Sequence, residues 1–180
     1  MTSPDTFLIP EAPDSRPPRR PLRLQLSGAP GHAVLDGGWW PHSREIDIEL
    51  ADLVDQFPEG TGCVARALYS RPDWDGQPHR IRVTRGWLKT GSFPGDNTRM
   101  VVLTMATGEQ LRLLVVPPGH PTGQRAMTLA SDPSNRWSAR EVLAVCALDE
   151  EQGGGQDHWT DAGGSWWRHE DGPPSYRSPR

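Results

Sequence analysis

Residues 99–116 carry the pattern that most restricts what this chain can become. Two β-rich runs, 99–105 (RMVVLTM) and 109–116 (EQLRLLVV), flank Ala106-Thr107-Gly108. A glycine in so short a connection supplies the positive φ that a hairpin needs. Pro117 and Pro118 then stop the second run, because proline has no N–H for the ladder. The chain is therefore expected to be organised around an antiparallel pair of strands, against which its other segments pack.

Shorter strands are expected on both sides of that pair. Leu22, Leu24 and Leu26 alternate with Arg23 and Gln25, the period of a half-buried strand. A turn over 27–31 leads to a short, mostly apolar stretch at 32–35. Residues 62–69 alternate in part and 80–84 more cleanly, and Arg85-Gly86 turns the chain into a strand ending near Thr90. Trp87 and Leu88 are adjacent there, which blurs the register.

Helices are expected where the period changes. Ser43 reads as an N-cap with Glu45 early in the first turn. Ile46, Leu50, Leu53, Val54 and Phe57 follow on one face, with Asp47, Glu49, Asp52 and Asp55 largely off that stripe as a solvated exterior. Ile48 departs from the pattern, and Pro58 and Gly60 end it. Residues 122–130 form a short helical candidate after Pro121. Residues 138–148 form another, with Ser138 and Glu141 spaced as a capping box and a loop over 132–136 before it. The result is an α+β fold, a mostly antiparallel sheet of about five or six strands with two or three helices. No internal repeat of solenoid length is present.

Composition places this domain within the chain. Of 180 residues only 34% are hydrophobic, while 19 are glycine and 19 proline, so an ordered centre between disordered ends is expected. Residues 1–21 hold six prolines and read as a disordered leader; 22–148 read as the single domain; 149–180 read as a disordered acidic tail containing glycine and tryptophan. The domain carries 13 acidic and 13 basic side chains, so the formal charge of −4 belongs chiefly to the tail. That balance argues against strong general affinity for nucleic acid or anionic membrane. The N-terminus lacks the basic-then-apolar order of a signal peptide, and no apolar run approaches the roughly 20 residues that span a bilayer. A cytoplasmic location without membrane contact is expected. Cys63 and Cys146 stand singly in apolar surroundings, as small buried thiols do. No metal and no cofactor is expected from them.

The least ordinary segment is 35–45, LDGGWWPHSRE. Adjacent tryptophans on extended backbone point to opposite sides, so Trp39 and Trp40 are expected to face different ways. Gly37 and Gly38 read as a glycine turn leading into the helix. Asp36 and Arg44 flank the pair, and are candidates for a salt bridge across the turn or for holding a polar ligand.

With these residues the segment resembles a family of uncharacterised actinobacterial proteins, a domain of unknown function marked by an LDGxWWPxSR-type motif. The likeness continues through VARALY at 64–69, Trp74, the 80–93 region ending in Gly91-Ser92-Phe93, and LRLLVVPPG at 111–119, and so covers about residues 22–130. Members often carry an aromatic residue where this chain has Ser92. The resemblance implies a shared fold and lineage, and brings no activity, substrate or cofactor.

Three functional readings follow. The first is a non-enzymatic binding or regulatory module for an unidentified protein or small molecule. It would use an aromatic and arginine surface with Asp36, Trp39, Trp40, His42, Arg44, Tyr69, Trp74 and Phe93 as candidates and Arg66 for orientation. The simpler explanation of those aromatics is that they fill the core. The second is a small enzyme with a polar site around Asp36, His42 and Arg44. The six histidines are scattered, however, and no nucleophile elbow, phosphate loop or zinc-binding HExxH is present, so no catalytic residue is assigned. The third is a weak single-stranded nucleic-acid binder with Arg80 and Arg82 on one face of a strand and Arg85 and Trp87 near, which the neutral charge makes less expected. Finally, Trp166-Trp167-Arg168-His169 echoes Trp39-Trp40-Pro41-His42, each behind a Gly-Gly pair, so tail docking through Trp159, Trp166 and Trp167 is a further expectation.

Overall fold

The computed structural model describes residues 20–93 and 99–153, with side chains described as far as Leu148. The leader and the tail, with Trp159, Trp166 and Trp167, thus fall almost wholly outside the described residues. Seven strands are formed: β1 (Leu24–Leu26), β2 (Gly37–Trp39), β3 (Val64–Tyr69), β4 (Arg80–Val83), β5 (Gly86–Ser92), β6 (Met100–Met105) and β7 (Gln110–Val115). Three helices accompany them, α1 (Ile46–Asp55), α2 (Gly123–Ala130) and α3 (Ala139–Gly153), with a 3-10 turn at Arg71–Asp73.

All the strands join one sheet in the order β1-β2-β7-β6-β3-β5-β4. The pairs β1/β2, β3/β6, β4/β5 and β6/β7 are antiparallel, while β2/β7 and β3/β5 are parallel. The fold is α+β with a mostly antiparallel sheet, as expected. The hairpin of 99–116 lies at its centre, pairing Met100 with Leu114 through Thr104 with Gln110. Gly108 at its tip has φ +90°.

The strand beyond the expected five or six is β2. Gly37 and Gly38 do not form a turn; they pair with Leu26 and Gln25 on one side and with Leu113 and Leu114 on the other. The reason is steric. A Cβ on Gly37 would lie 2.3 Å from the Gln25 carbonyl oxygen, and one on Gly38 would lie 2.8 Å from Met127 Cα in α2. Two absent side chains let the backbone pass between β1 and α2.

Successive residues of the sheet feed two separate cores. On one face Leu111, Leu113 and Val115 join Val101, Leu103, Ala67, Ile81 and Leu88 beneath Ile46, Leu50 and Leu53 of α1. On the other face Leu114 and Val116 pack with Leu35, Ala126, Met127, Ala139, Val142 and Cys146 of α2 and α3. The alternation is that of strands covered on both sides.

Helix α1 begins later than its sequence suggests. Its N-cap is Glu45 and makes no side-chain capping bond. The Ser43 hydroxyl instead donates to Glu49 Oε1 at 2.7 Å and accepts from the Glu45 N–H at 3.2 Å. Glu49 is accordingly buried, not part of the solvated acidic exterior. At α3 the capping box does form: the Ser138 N–H donates to Glu141 Oε2 at 2.7 Å, and the Glu141 N–H reaches Ser138 Oγ at 3.4 Å. This helix runs to Gly153, past the residue 148 where its apolar pattern fades.

Candidate functional site

The LDGGWWPHSRE segment is structural along most of its length. Trp39 is buried and stacks on Trp74, with ring centroids 5.2 Å apart. Trp40 points to the opposite face, as alternation requires. Its Nε1 donates to the Pro117 carbonyl at 3.2 Å, and the Arg23 guanidinium lies 3.9 Å from its ring centroid. Tyr69 and Trp74 are also core residues, and Phe93 is half-buried with its N–H donating to the Tyr69 carbonyl. An exposed aromatic surface around the motif is therefore not present among the described residues. These rings fill the core, because a sheet only a few residues deep needs large side chains to close it.

The polar members of the motif do not converge. Asp36 accepts the Gly31 N–H at 2.6 Å and the Arg112 N–H at 2.8 Å, with Arg112 Nε at 3.4 Å. Arg44 pairs with Asp75 at 3.2 Å and donates to the Pro72 carbonyl. The expected Asp36–Arg44 bridge is absent because Asp36 tethers the turn before β2 to the central strand β7, while Arg44 reaches the 3-10 turn. The His42 N–H donates to Glu49, and its ring meets the Pro21 carbonyl. The three groups named for an enzymatic site thus serve three different contacts.

Two further features are chemically notable. Asp73 is buried, pairs with Arg99 at 2.7 Å and leaves Oδ2 without a partner. Burial raises its carboxyl above the ordinary range, against the opposing pull of Arg99, the Ser70 hydroxyl and Arg44. Arg99 itself has φ +51°, an unusual backbone for a residue that is not glycine. The second feature is a cleft of about 500 Å³ between α1 and β4, walled in part by His42, Ser43, Glu49, Asp52, Arg80 and Arg82. Carboxylates and guanidinium groups face it together, so it has no single charge preference.

The remaining feature is a surface. Helices α2 and α3 cover the second face of the sheet over β1, β2 and β7. Beyond them, over β3, β5 and β4, that face is exposed. Register brings Arg80 opposite Lys89 on β5, and Lys89 beside Arg66 on β3. The row continues through Thr104 to Gln110. Neighbouring strands are about 4.8 Å apart, so three cations lie within roughly 10 Å. Trp87 stands two residues from Lys89 on the same face, 61% exposed and 5.9 Å from the Arg82 guanidinium. The alternate residues Ala67, Ile81 and Leu88 are buried on the first face. Arg80, Arg82 and Trp87 were visible in the sequence as an alternating basic pattern; the neighbouring positions of Arg66 and Lys89 were not. Cross-strand register was the missing signal.

Fold and surface together define one α+β sheet, helix-covered on one face and half-covered on the other. The sequence profile of DUF5994, a family of unknown function, matches residues 23–131, and the chain belongs to that family. The match begins at β1 and ends just after α2, leaving α3 outside it. No curated protein and no solved structure matches the chain. Among the described residues, no helix is long and apolar enough to cross a membrane, and no group of three or more His, Cys, Asp or Glu is placed to hold a metal ion.

Proposed function

We propose that the domain is a non-enzymatic binding module that receives an anionic partner on the uncovered half of its sheet. The observation that carries this reading is the row Arg80–Lys89–Arg66, formed across three strands by register. Like charges directly opposite one another destabilise a sheet, and among the described residues these three make no ion pair. An anion laid along the row removes the repulsion.

Charge distribution supports the same reading. The domain is formally neutral, yet its charge is unevenly placed: Asp47 and Asp52 of α1 share the α1–β4 cleft with Arg80 and Arg82 of the edge strand, while Arg66 and Lys89 stand on the uncovered half of the sheet. A neutral domain with separated charges attracts an anion locally without attracting polyanions all over. The motif residues Asp36, Trp39, Trp40 and Arg44 contribute by holding the sheet and its turns. We further take the protein to be cytoplasmic; Cys146 is a buried thiol, as expected, whereas Cys63 is exposed.

Retention on immobilised heparin at low ionic strength tests the reading. The full chain, although its formal charge is −4, is expected to bind and to elute with salt. The double variant Arg66→Ser, Lys89→Ser is expected to elute at markedly lower salt with unchanged circular dichroism. Flow-through of the wild type, or identical elution of the variant, rules the proposal out.

A further inference from the structure

We infer that the anionic partner is a single-stranded nucleic acid, an inference that rests on the binding surface proposed above. The additional observation is Trp87. Its ring is 61% exposed, more than any other described tryptophan: Trp137, in the loop before α3, is 44% exposed, and Trp39, Trp40 and Trp74 are buried or half-buried. It stands on β5 directly opposite Arg82 and on the same face as Lys89. An acidic peptide would need the cations and would leave the indole unused. A nucleic-acid strand uses both, because any base has a π-face to stack and a phosphate to pair.

The shape of the surface selects the single strand. Residues i and i+2 of a strand are about 7 Å apart on one face, so β5 presents Trp87, Lys89 and Gly91 in succession. At Gly91 the missing side chain makes room for its neighbours: a Cβ would fall 2.9 Å from Leu68 Cδ2 and 3.5 Å from an Arg66 guanidinium nitrogen. Arg66 therefore lies along the sheet towards Gly91. A base stacked on Trp87 leaves its phosphates over Lys89 and Arg66. Reading a duplex instead requires a helix or ribbon that enters a groove, and among the described residues this half-sheet projects neither. Open sheet faces carrying aromatic and basic side chains suit unpaired bases.

The experiment uses the full chain and a fluorescein-labelled oligo-dT of about 12 nucleotides, within the usual site size of a single-strand binding surface. Fluorescence anisotropy at low salt is followed by competition with unlabelled oligo-dT, a duplex of equal length, and polyglutamate of equal charge. Unlabelled oligo-dT is expected to compete at least about tenfold better than either of the others. Trp87→Ala is expected to weaken oligo-dT binding roughly 5- to 100-fold without changing heparin retention, and Trp87→Phe to restore most of the loss. Lys89→Ser is expected to flatten the slope of log K against log salt by about 0.7. Equal competition by polyglutamate with no effect of Trp87→Ala overturns the inference in favour of an acidic peptide, and leaves the anion-binding reading standing. Equal competition by the duplex overturns the single-strand assignment. No binding of any of these, together with no heparin retention, overturns both.

Discussion

Two buried carboxylates show how differently one residue type can be accommodated. Asp36 accepts two backbone N–H groups and faces the Arg112 guanidinium, so its charge is compensated where it sits. Asp73 has Arg99 on one oxygen, while Oδ2 and the neighbouring Trp74 Nε1 have no hydrogen-bond partner among the described residues. Burial is the largest influence on Asp73 and favours its neutral form, which raises its carboxyl in the folded state. Folding then takes up a proton that the unfolded chain does not hold. The stability this provides is complete below the ordinary Asp value of about 3.9, and is lost as pH rises through the folded value. Asp73→Asn stays neutral throughout. Its stability relative to wild type, read from urea midpoints, is expected to improve steadily from acid towards neutral pH. A relative stability that stays flat or falls over that range would show that Arg99 outweighs burial.

At the scale of elements, β2 is held by what its residues lack. It is three residues long, two of them glycine, yet it links β1 to the central strand β7. Gly38 lets α2 approach at Met127, and Gly123 in α2 lets Trp40 lie flat: a Cβ there would come within 2.7 Å of three indole carbons. The glycines and the indole thus form one close contact between β2 and α2. Gly38→Ala is expected to cost about 1–3 kcal/mol through overpacking, measured by urea unfolding. Gly28→Ala, with nothing within 4 Å of its added Cβ, is the matched control and should change stability little. Equal effects at the two positions would contradict the close-packing argument.

Across the whole molecule, cations gather at one end of the sheet. Arg80 and Arg82 on the edge strand also line the cleft against acidic α1, whereas Lys89 and Arg66 stand on the uncovered half of the second face. Removing one cation should therefore act on stability and on binding in opposite directions. Lys89→Thr replaces the middle member of the row with a good strand former. It is expected to stabilise the domain by roughly 0.2–1 kcal/mol, by relieving like-charge pairing, while weakening heparin retention. Thermal melting and salt elution of the same variant check both halves. A variant less stable than wild type would mean that the row is not repulsive in the free protein.

Local pattern sufficed for much of this protein. The β6–β7 hairpin, the edge strand β1, the β4–β5 turn, the capping box of α3 and the short helix α2 were legible because alternation, turn glycines and caps act between near neighbours. The opposed directions of Trp39 and Trp40 followed from the same geometry. Tertiary structure alone decided the rest. That Gly37-Gly38 is a strand depends on β1 and, far along the chain, on β7 and Met127. That Glu49 is buried, and that Asp36 and Arg44 find separate partners, depends on where the 3-10 turn and β7 arrive. The cationic row depends on register, which sets residues 66, 80 and 89 side by side. A slip of one residue would turn a strand's side chains to the other face. Composition recorded a neutral domain; only the pairing of strands gathered Arg80, Lys89 and Arg66 into one row.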